Sequence, residues 1–195
     1  MSLEKLMRLV GAAIVLSLAC GLAQADSSDS VPPKKTTILK LYMQPKHVLE
    51  RMSGSEAGKT LFVDVRTPQE AMFVGMPQLA DANVPYMVLP ELPEWDGARN
   101  AFKLVLNSGF VGDVKSRLAA KGLGIDDVVI LMCRSGDRSA GAANLLVKAG
   151  FTRVYSVVDG FEGDLGKDGR RMLSGWKNEG LPWSFELARE KMSSL

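Results

Sequence analysis

Residues 127–132 read DVVILM, a β-branched and aliphatic run without polar alternation. A strand with one wet face alternates apolar and polar side chains. An unbroken run therefore needs cover on both faces, as at the centre of a parallel sheet. It leads at once into CRSGDRSAGAANLLVKAG, residues 133–150. This reads as a tight polar loop and then a helix over residues 139–149, ended by Gly150. Parallel strands need crossovers, so the rest of the chain must supply further strand and helix pairs.

It does. QPKHVLERM (44–52) reads as a short helix and TLFVDV (60–65) as a second buried strand. In TPQE, Thr67 is placed to cap, Pro68 suits the first helical turn and Glu70 completes a capping box. NVPY (83–86) is expected to be a short strand, GDVKSRLAAKG (112–122) a helix closed by Gly122, and RVYSV (153–157) another strand. The pattern predicts one α/β domain with a mostly parallel sheet, over residues 44–185. An acidic, aromatic stretch, LPELPEWDGARNAF (89–102), lies in an added segment at about 87–121, expected as a surface elaboration with one extra helix. Residues 186–195 are expected to be a tail.

The N-terminus reads differently. Lys5 and Arg8 precede the apolar run LVGAAIVLSLA (9–19), and GLAQA follows with a small-x-small ending. This is the order of a secretory signal peptide over residues 1–25, too short to span a bilayer comfortably. The alternatives are an uncleaved anchor, or lipid attachment at Cys20 of LSLAC, although Ser17 stands where a lipoprotein signal carries leucine. Cleavage after Ala25 removes two of 24 basic and one of 22 acidic side chains, leaving 170 residues with net charge +1. No basic cluster suggests nucleic acid. Residues 26–43, rich in serine, proline and lysine, are expected to be a loose tether. Cys133 would be the one remaining cysteine, odd for an exported protein and an invitation to a chemical explanation.

Ligands of open α/β sheets bind beyond the carboxyl ends of the strands, which is where Cys133 falls. A tight loop entering a helix turns backbone N–H groups inward as an anion nest, and the helix start adds partial positive charge. Arg134 and Arg138 add full charges. Together these favour the thiolate, the nucleophilic form. Gly136 permits the tight path, and Ala140, Gly141, Ala142 and Ala143 allow close packing on the sheet. The competing role for Cys133 is a small buried hydrophobe.

These residues resemble the rhodanese-type sulfurtransferases. CRSGDRS is similar to that family's active-site loop, LFVDVRTPQE (61–70) to its first strand and Asp-x-Arg signature, GFTRVYSVVDGFEG (150–163) to the strand and glycine turn after the catalytic helix, and WKNEGLPW (176–183) to its C-terminal end. The resemblance implies a doubly wound α/β fold in which Cys133 takes a sulfane sulfur from an anionic donor such as thiosulfate. The resulting persulfide passes it to a thiophilic acceptor, cyanide, a thiol or a protein. Arg134, Ser135, Gly136, Asp137, Arg138 and Ser139 would cradle the persulfide. Arg138 with Arg134 would steer the donor, with Asp137 offsetting some charge. Asp64 and Arg66 would form a structural ion pair that reaches Glu70. Where family members carry GHIPGA after the first helix, this chain has GMPQLADANVPY (75–86).

Other chemistries fit less well. A single histidine, His47, expected on a solvent-exposed helix face, leaves little for a zinc site or a Cys–His dyad. Neither metal nor cofactor is expected. GSEAGKT (54–60) is one residue short of a phosphate-binding loop and precedes a strand instead of following one. Cysteine-dependent phosphatases place five residues between cysteine and arginine, whereas four separate Cys133 from Arg138 and Ser139 holds the next position. A non-catalytic sulfur carrier or docking module is the remaining alternative. The localisation expected is outside the cytoplasm, the periplasm in a Gram-negative cell, with Cys20 lipidation as the alternative. N-terminal sequencing of exported protein should begin at Asp26; an intact Met1 would overturn both.

Overall fold

The computed structural model describes residues 31–193; the expected signal peptide and Cys20 lie outside them. Chain order begins with β1 (Tyr42–Met43), α1 (Pro45–Ser53), β2 (Thr60–Asp64), α2 (Pro68–Val74), β3 (Met76–Pro77) and β4 (Ala82–Asn83). Four short strands follow: β5 (Met87–Val88), β6 (Trp95–Asp96), β7 (Ala101–Phe102) and β8 (Val105–Leu106). Then come α3 (Phe110–Ala120), β9 (Val128–Met132), α4 (Asp137–Lys148), β10 (Val154–Val157) and β11 (Trp183–Ser184). The central sheet has the order β1-β10-β9-β2-β4, with every neighbouring pair parallel.

DVVILM forms β9, paired on one side with β2 and on the other with β10. All five of its residues are buried because the pleat sends them alternately to two covered faces. Val129 and Leu131 join Leu61 and Val63 against Phe110, Val114 and Leu118 of α3 and Ala142, Ala143 and Leu146 of α4. Val128, Ile130 and Met132 join Phe62 against Val48 and Met52 of α1, Ala71 of α2 and Trp176. Both faces carry helices, the doubly wound arrangement.

The capping box forms as read: Glu70 N–H donates to Thr67 Oγ1 at 3.1 Å, and Thr67 N–H to Glu70 Oε2 at 3.0 Å. α4 starts two residues earlier than expected, at Asp137, because Gly136 at φ +98° already makes the turn into it. Where the GHIPGA pattern is absent, β3 pairs antiparallel with β11. Gly75, at φ +95°, lies under the Trp183 ring, and a Cβ there would meet the ring at 2.4 Å.

Four expectations are corrected. The segment before residue 44 is no loose tether once past Pro32. It makes a 3-10 turn at Pro33–Lys35, buries Lys35 and Thr37, and supplies β1 as the sheet edge. The added segment is a two-tier antiparallel ribbon, β5 with β8 and β6 with β7, tipped by an edge-on Trp95–Phe102 pair. Its expected extra helix, α3, belongs to the core instead, because Phe110, Val114 and Leu118 recur at helical spacing and are all buried. The tail docks on β4: Ser193 N–H donates to the Asn83 carbonyl, and the Arg117 guanidinium gathers the carbonyls of Glu190, Lys191 and Met192. His47 is half-buried on α1, not fully exposed.

Tyr42 measures how firmly the first segment is attached. Its ring is 1% exposed and its hydroxyl accepts the Thr37 N–H at 3.0 Å. Tyr42→Ala should cost about 3–5 kcal/mol, as for other large aromatic truncations. Urea unfolding measures this, and a loss under about 1 kcal/mol would make the segment peripheral.

Candidate functional site

Strand β9 ends at Met132, and Cys133 is the first residue beyond it, 1% exposed on the α3/α4 side of the sheet. Ser135 and Gly136 are buried, Arg134 projects to solvent, and Asp137 and Arg138 are half-buried in the first turn of α4. The left-handed backbone of Gly136 turns its N–H back on the cysteine, donating to Cys133 Sγ at 3.1 Å. Its carbonyl accepts from the Ser139 hydroxyl at 3.0 Å, and that hydroxyl also meets Ser156 Oγ of β10 at 2.9 Å. Ser139 is thus a fully buried brace tying the loop to the neighbouring strand.

A second loop, after β10, holds the first from behind. Phe161 N–H donates to the Cys133 carbonyl at 2.8 Å and Glu162 N–H to the Arg134 carbonyl at 2.9 Å. The approach is close enough that a Cβ on Gly160 would fall 2.6 Å from the Cys133 oxygen. Lys35 completes the clamp. Its ammonium, 2% exposed, donates to the Val158 carbonyl at 3.0 Å and to Asp164 Oδ2 at 2.7 Å. Its stem lies against Gly136. Neighbouring Lys34 reaches Asp137 at 3.4 Å.

Behind the loop four charges alternate. Arg66 grips Asp64 at 2.6–3.1 Å, donates to the Gly75 carbonyl at 2.7 Å, and stacks its guanidinium 4.0 Å over Phe161. Both charged side chains are fully buried. Glu70 does not join this pair as expected. It takes a two-pronged bond from Arg138, at 2.5 and 2.7 Å. Burial pushes the Glu70 carboxyl up, but the Arg138 bond and charge, the Thr67 amide and Arg66 outweigh it and hold the carboxyl below the usual carboxylate range. Arg138, expected to offer its charge to an incoming donor, is matched by Glu70 in this structure.

Gly141 also differs from its expectation. It faces Tyr86, whose hydroxyl would lie 3.0 Å from a Cβ there, while Ala140, Ala142 and Ala143 are buried. One participant was read with the wrong partner and another escaped the sequence reading. Glu70 was expected in the capping box and beside Asp64 and Arg66, and meets Arg138 instead. Lys35 had no signal, since a lysine in a polar stretch ordinarily reads as solvated. Among the described residues no group of His, Cys, Asp and Glu could hold a metal.

The Glu70–Arg138 pair makes acid stability testable. A carboxylate held low in the folded state contributes fully above the ordinary carboxylate range, and that contribution disappears as pH falls through the folded value. Glu70→Gln should cost about 2–3 kcal/mol at neutral pH, somewhat less than a fully dry pair. The gap from wild type should narrow below about pH 4. Chemical unfolding of both proteins across pH measures this; a gap constant with pH would show that the pair contributes nothing.

The chain matches the Rhodanese-like domain family over residues 46–166. The uncharacterised protein RP600 of Rickettsia prowazekii is 35% identical over 123 residues, 63% of this chain and 81% of its own. Thiosulfate sulfurtransferase 16, a chloroplastic protein of Arabidopsis thaliana, is 33% identical over 121 residues, 62% of this chain and 77% of its own. Among solved structures, Rv0390 from M. tuberculosis superposes with a TM-score of 0.52 at 30% identity, covering 74% of this chain and 96% of that one. With the family pattern spanning more than half of its length and this loop at the end of its central strand, the chain belongs to the rhodanese-like domain family.

Proposed function

We propose that the protein is a sulfurtransferase in which Cys133 carries the sulfur. The observation that supports this most is the Gly136 N–H aimed at Cys133 Sγ from a loop held on three sides. A backbone donor directed at sulfur favours negative charge there in the thiolate and in the persulfide alike. The thiolate attacks the outer sulfur of thiosulfate, the S–S bond of the donor breaks, and sulfite leaves with the electron pair. Cyanide or a thiolate then attacks the terminal sulfur of the persulfide, and Cys133 leaves as thiolate. Neither step needs a metal or a general base.

The burial of Cys133 fits this sequence of events. The added sulfur extends the side chain by about 2 Å, which moves the reactive atom from the loop floor toward the mouth. Arg134, Ser135, Gly136, Asp137, Arg138 and Ser139 line its path. Asp64 and Arg66 act at one remove, through Phe161, which binds the Cys133 carbonyl. The leader-like N-terminus adds a place: outside the cytoplasm, in the periplasm of a Gram-negative cell, with lipid attachment at Cys20 as the alternative.

Incubation with thiosulfate should add the mass of one sulfur atom to the intact protein, and cyanide should remove it as thiocyanate. Cys133→Ser should abolish both while unfolding like the wild type, because a hydroxyl of similar size is a far weaker nucleophile. Aryl phosphates should not be hydrolysed, since the loop is one residue shorter than the phosphatase cradle. Loading without turnover on cyanide or small thiols would identify a dedicated carrier. Phosphatase activity without sulfur gain would refute the reading.

A further inference from the structure

Among the described residues Lys35 is the only buried lysine, and it precedes the part of the chain that matches the family. Lysine is rarely fully buried unless its charge is paired, and the pair here is with Asp164. The ammonium is therefore not offered to solvent or to an incoming anion. It reaches the Val158 carbonyl instead, at 3.0 Å. The other main-chain polar group of Val158 is taken by the same segment, as Val158 N–H donates to the Met43 carbonyl at 3.2 Å. Residues 35–43 hold Val158 at both of its hydrogen-bonding groups.

Val158 in turn sets Gly136. A Cβ on Gly136 would lie 2.1 Å from the Val158 carbonyl oxygen and 2.9 Å from the Lys35 stem, so oxygen, stem and glycine backbone are in direct contact. The Gly136 N–H is the group that donates to Cys133 Sγ. The same segment also straps α4, the helix that Gly136 opens. Lys34 pairs with Asp137, Ile38 N–H donates to Asn144 Oδ1 at 2.7 Å, and Asn144 Nδ2 donates to the Thr36 carbonyl at 3.4 Å. Four links therefore run in series from Lys35 Nζ through the Val158 carbonyl and Gly136 to the cysteine sulfur.

We propose that Lys35 is a positioning residue for Cys133: by holding the Val158 carbonyl against Gly136 it keeps the Gly136 N–H on the cysteine sulfur. Its part in sulfur transfer rests on the sulfurtransferase reading. Without the ammonium the Val158 carbonyl loses its donor and turns to find another, because a buried carbonyl left unmet is costly. Gly136 then loses the contact that fixes it, and its N–H drifts from the sulfur. That sulfur is negatively charged when it attacks the donor and again when the acceptor removes the added atom, so both steps use the same backbone group. A displacement of about 1 Å is enough to weaken it.

Lys35→Met keeps the stem and removes the ammonium. In the full chain it should slow sulfur loading from saturating thiosulfate, followed by intact mass, about tenfold, the scale of one charge-assisted hydrogen bond. The thiosulfate concentration giving half the maximal rate should change little, because the donor is not what Lys35 touches. Hydrogen exchange read by NMR in the unloaded protein should quicken at the Gly136 amide by a larger factor than at Ile130 of β9. A merely structural role quickens both by one factor, through global opening, and leaves the loading rate of folded protein unchanged. Asp164→Asn, on a half-exposed side chain, separates position from charge. Loss of a nearby negative charge speeds loading if Lys35 acts through its field; release of the ammonium slows it if Lys35 acts through Val158, which is the result expected. Equal quickening at Gly136 and Ile130, unchanged loading in Lys35→Met, or faster loading in Asp164→Asn overturns the assignment while the sulfurtransferase reading stands. Wild-type protein that gains no sulfur from thiosulfate overturns that reading, and exchange at Gly136 still decides whether Lys35 positions the loop.

Discussion

Gly136 has a Cα so close to the Val158 carbonyl that a Cβ would fall 2.1 Å from its oxygen and 2.9 Å from the stem of Lys35. No other residue fits there, and the φ of +98° independently favours glycine. The rest of the site depends on this contact. The left-handed turn points the Gly136 N–H at the cysteine sulfur, and the next residue begins α4. The Val158 carbonyl that blocks a side chain is itself held by the Lys35 ammonium. Loop, strand end and N-terminal segment thus meet at one backbone atom, and a shift in any of them moves the donor that faces the sulfur.

Charge is arranged so that each buried group has a defined task. The Asp64–Arg66 pair is dry, and such pairs contribute more to a unique geometry than to net stability. Here the geometry reaches the site through the Phe161 ring under the Arg66 guanidinium and the Phe161 N–H on the Cys133 carbonyl. Glu70 serves two structures with one carboxylate, closing the capping box of α2 and receiving Arg138 from α4. It couples two helices on opposite sides of β9 and β2 at the end of the sheet where the sulfur sits.

Two further elements adjoin the loops at that end. The ribbon of β5 to β8 rises from Tyr86, which rests on Gly141 of α4, and the segment carrying Arg171 closes over the second loop. Loops at the strand ends are where chains sharing a fold differ most in what they bind.

The sequence by itself determined the sheet centre, the cysteine and the glycine turns. Each is dictated by neighbours along the chain: an unbroken apolar run requires two covered faces, and a strand running into a helix through Gly136 leaves few backbone paths. The capping box at Thr67 and Glu70 and the closing turns at Gly122 and Gly150 were readable for the same reason. Only the tertiary structure decided the partners of the charges. Arg138 and Glu70 are 68 residues apart and Lys35 and Asp164 129 apart, and nothing in local spacing says which cation meets which acid. It also decided that residues 33–43 are an edge strand and a clamp. Their polar start, PKKTT, reads like the tether before it, and their burial follows from the open edge of β10 and from a carbonyl and a carboxylate that take up the Lys35 ammonium.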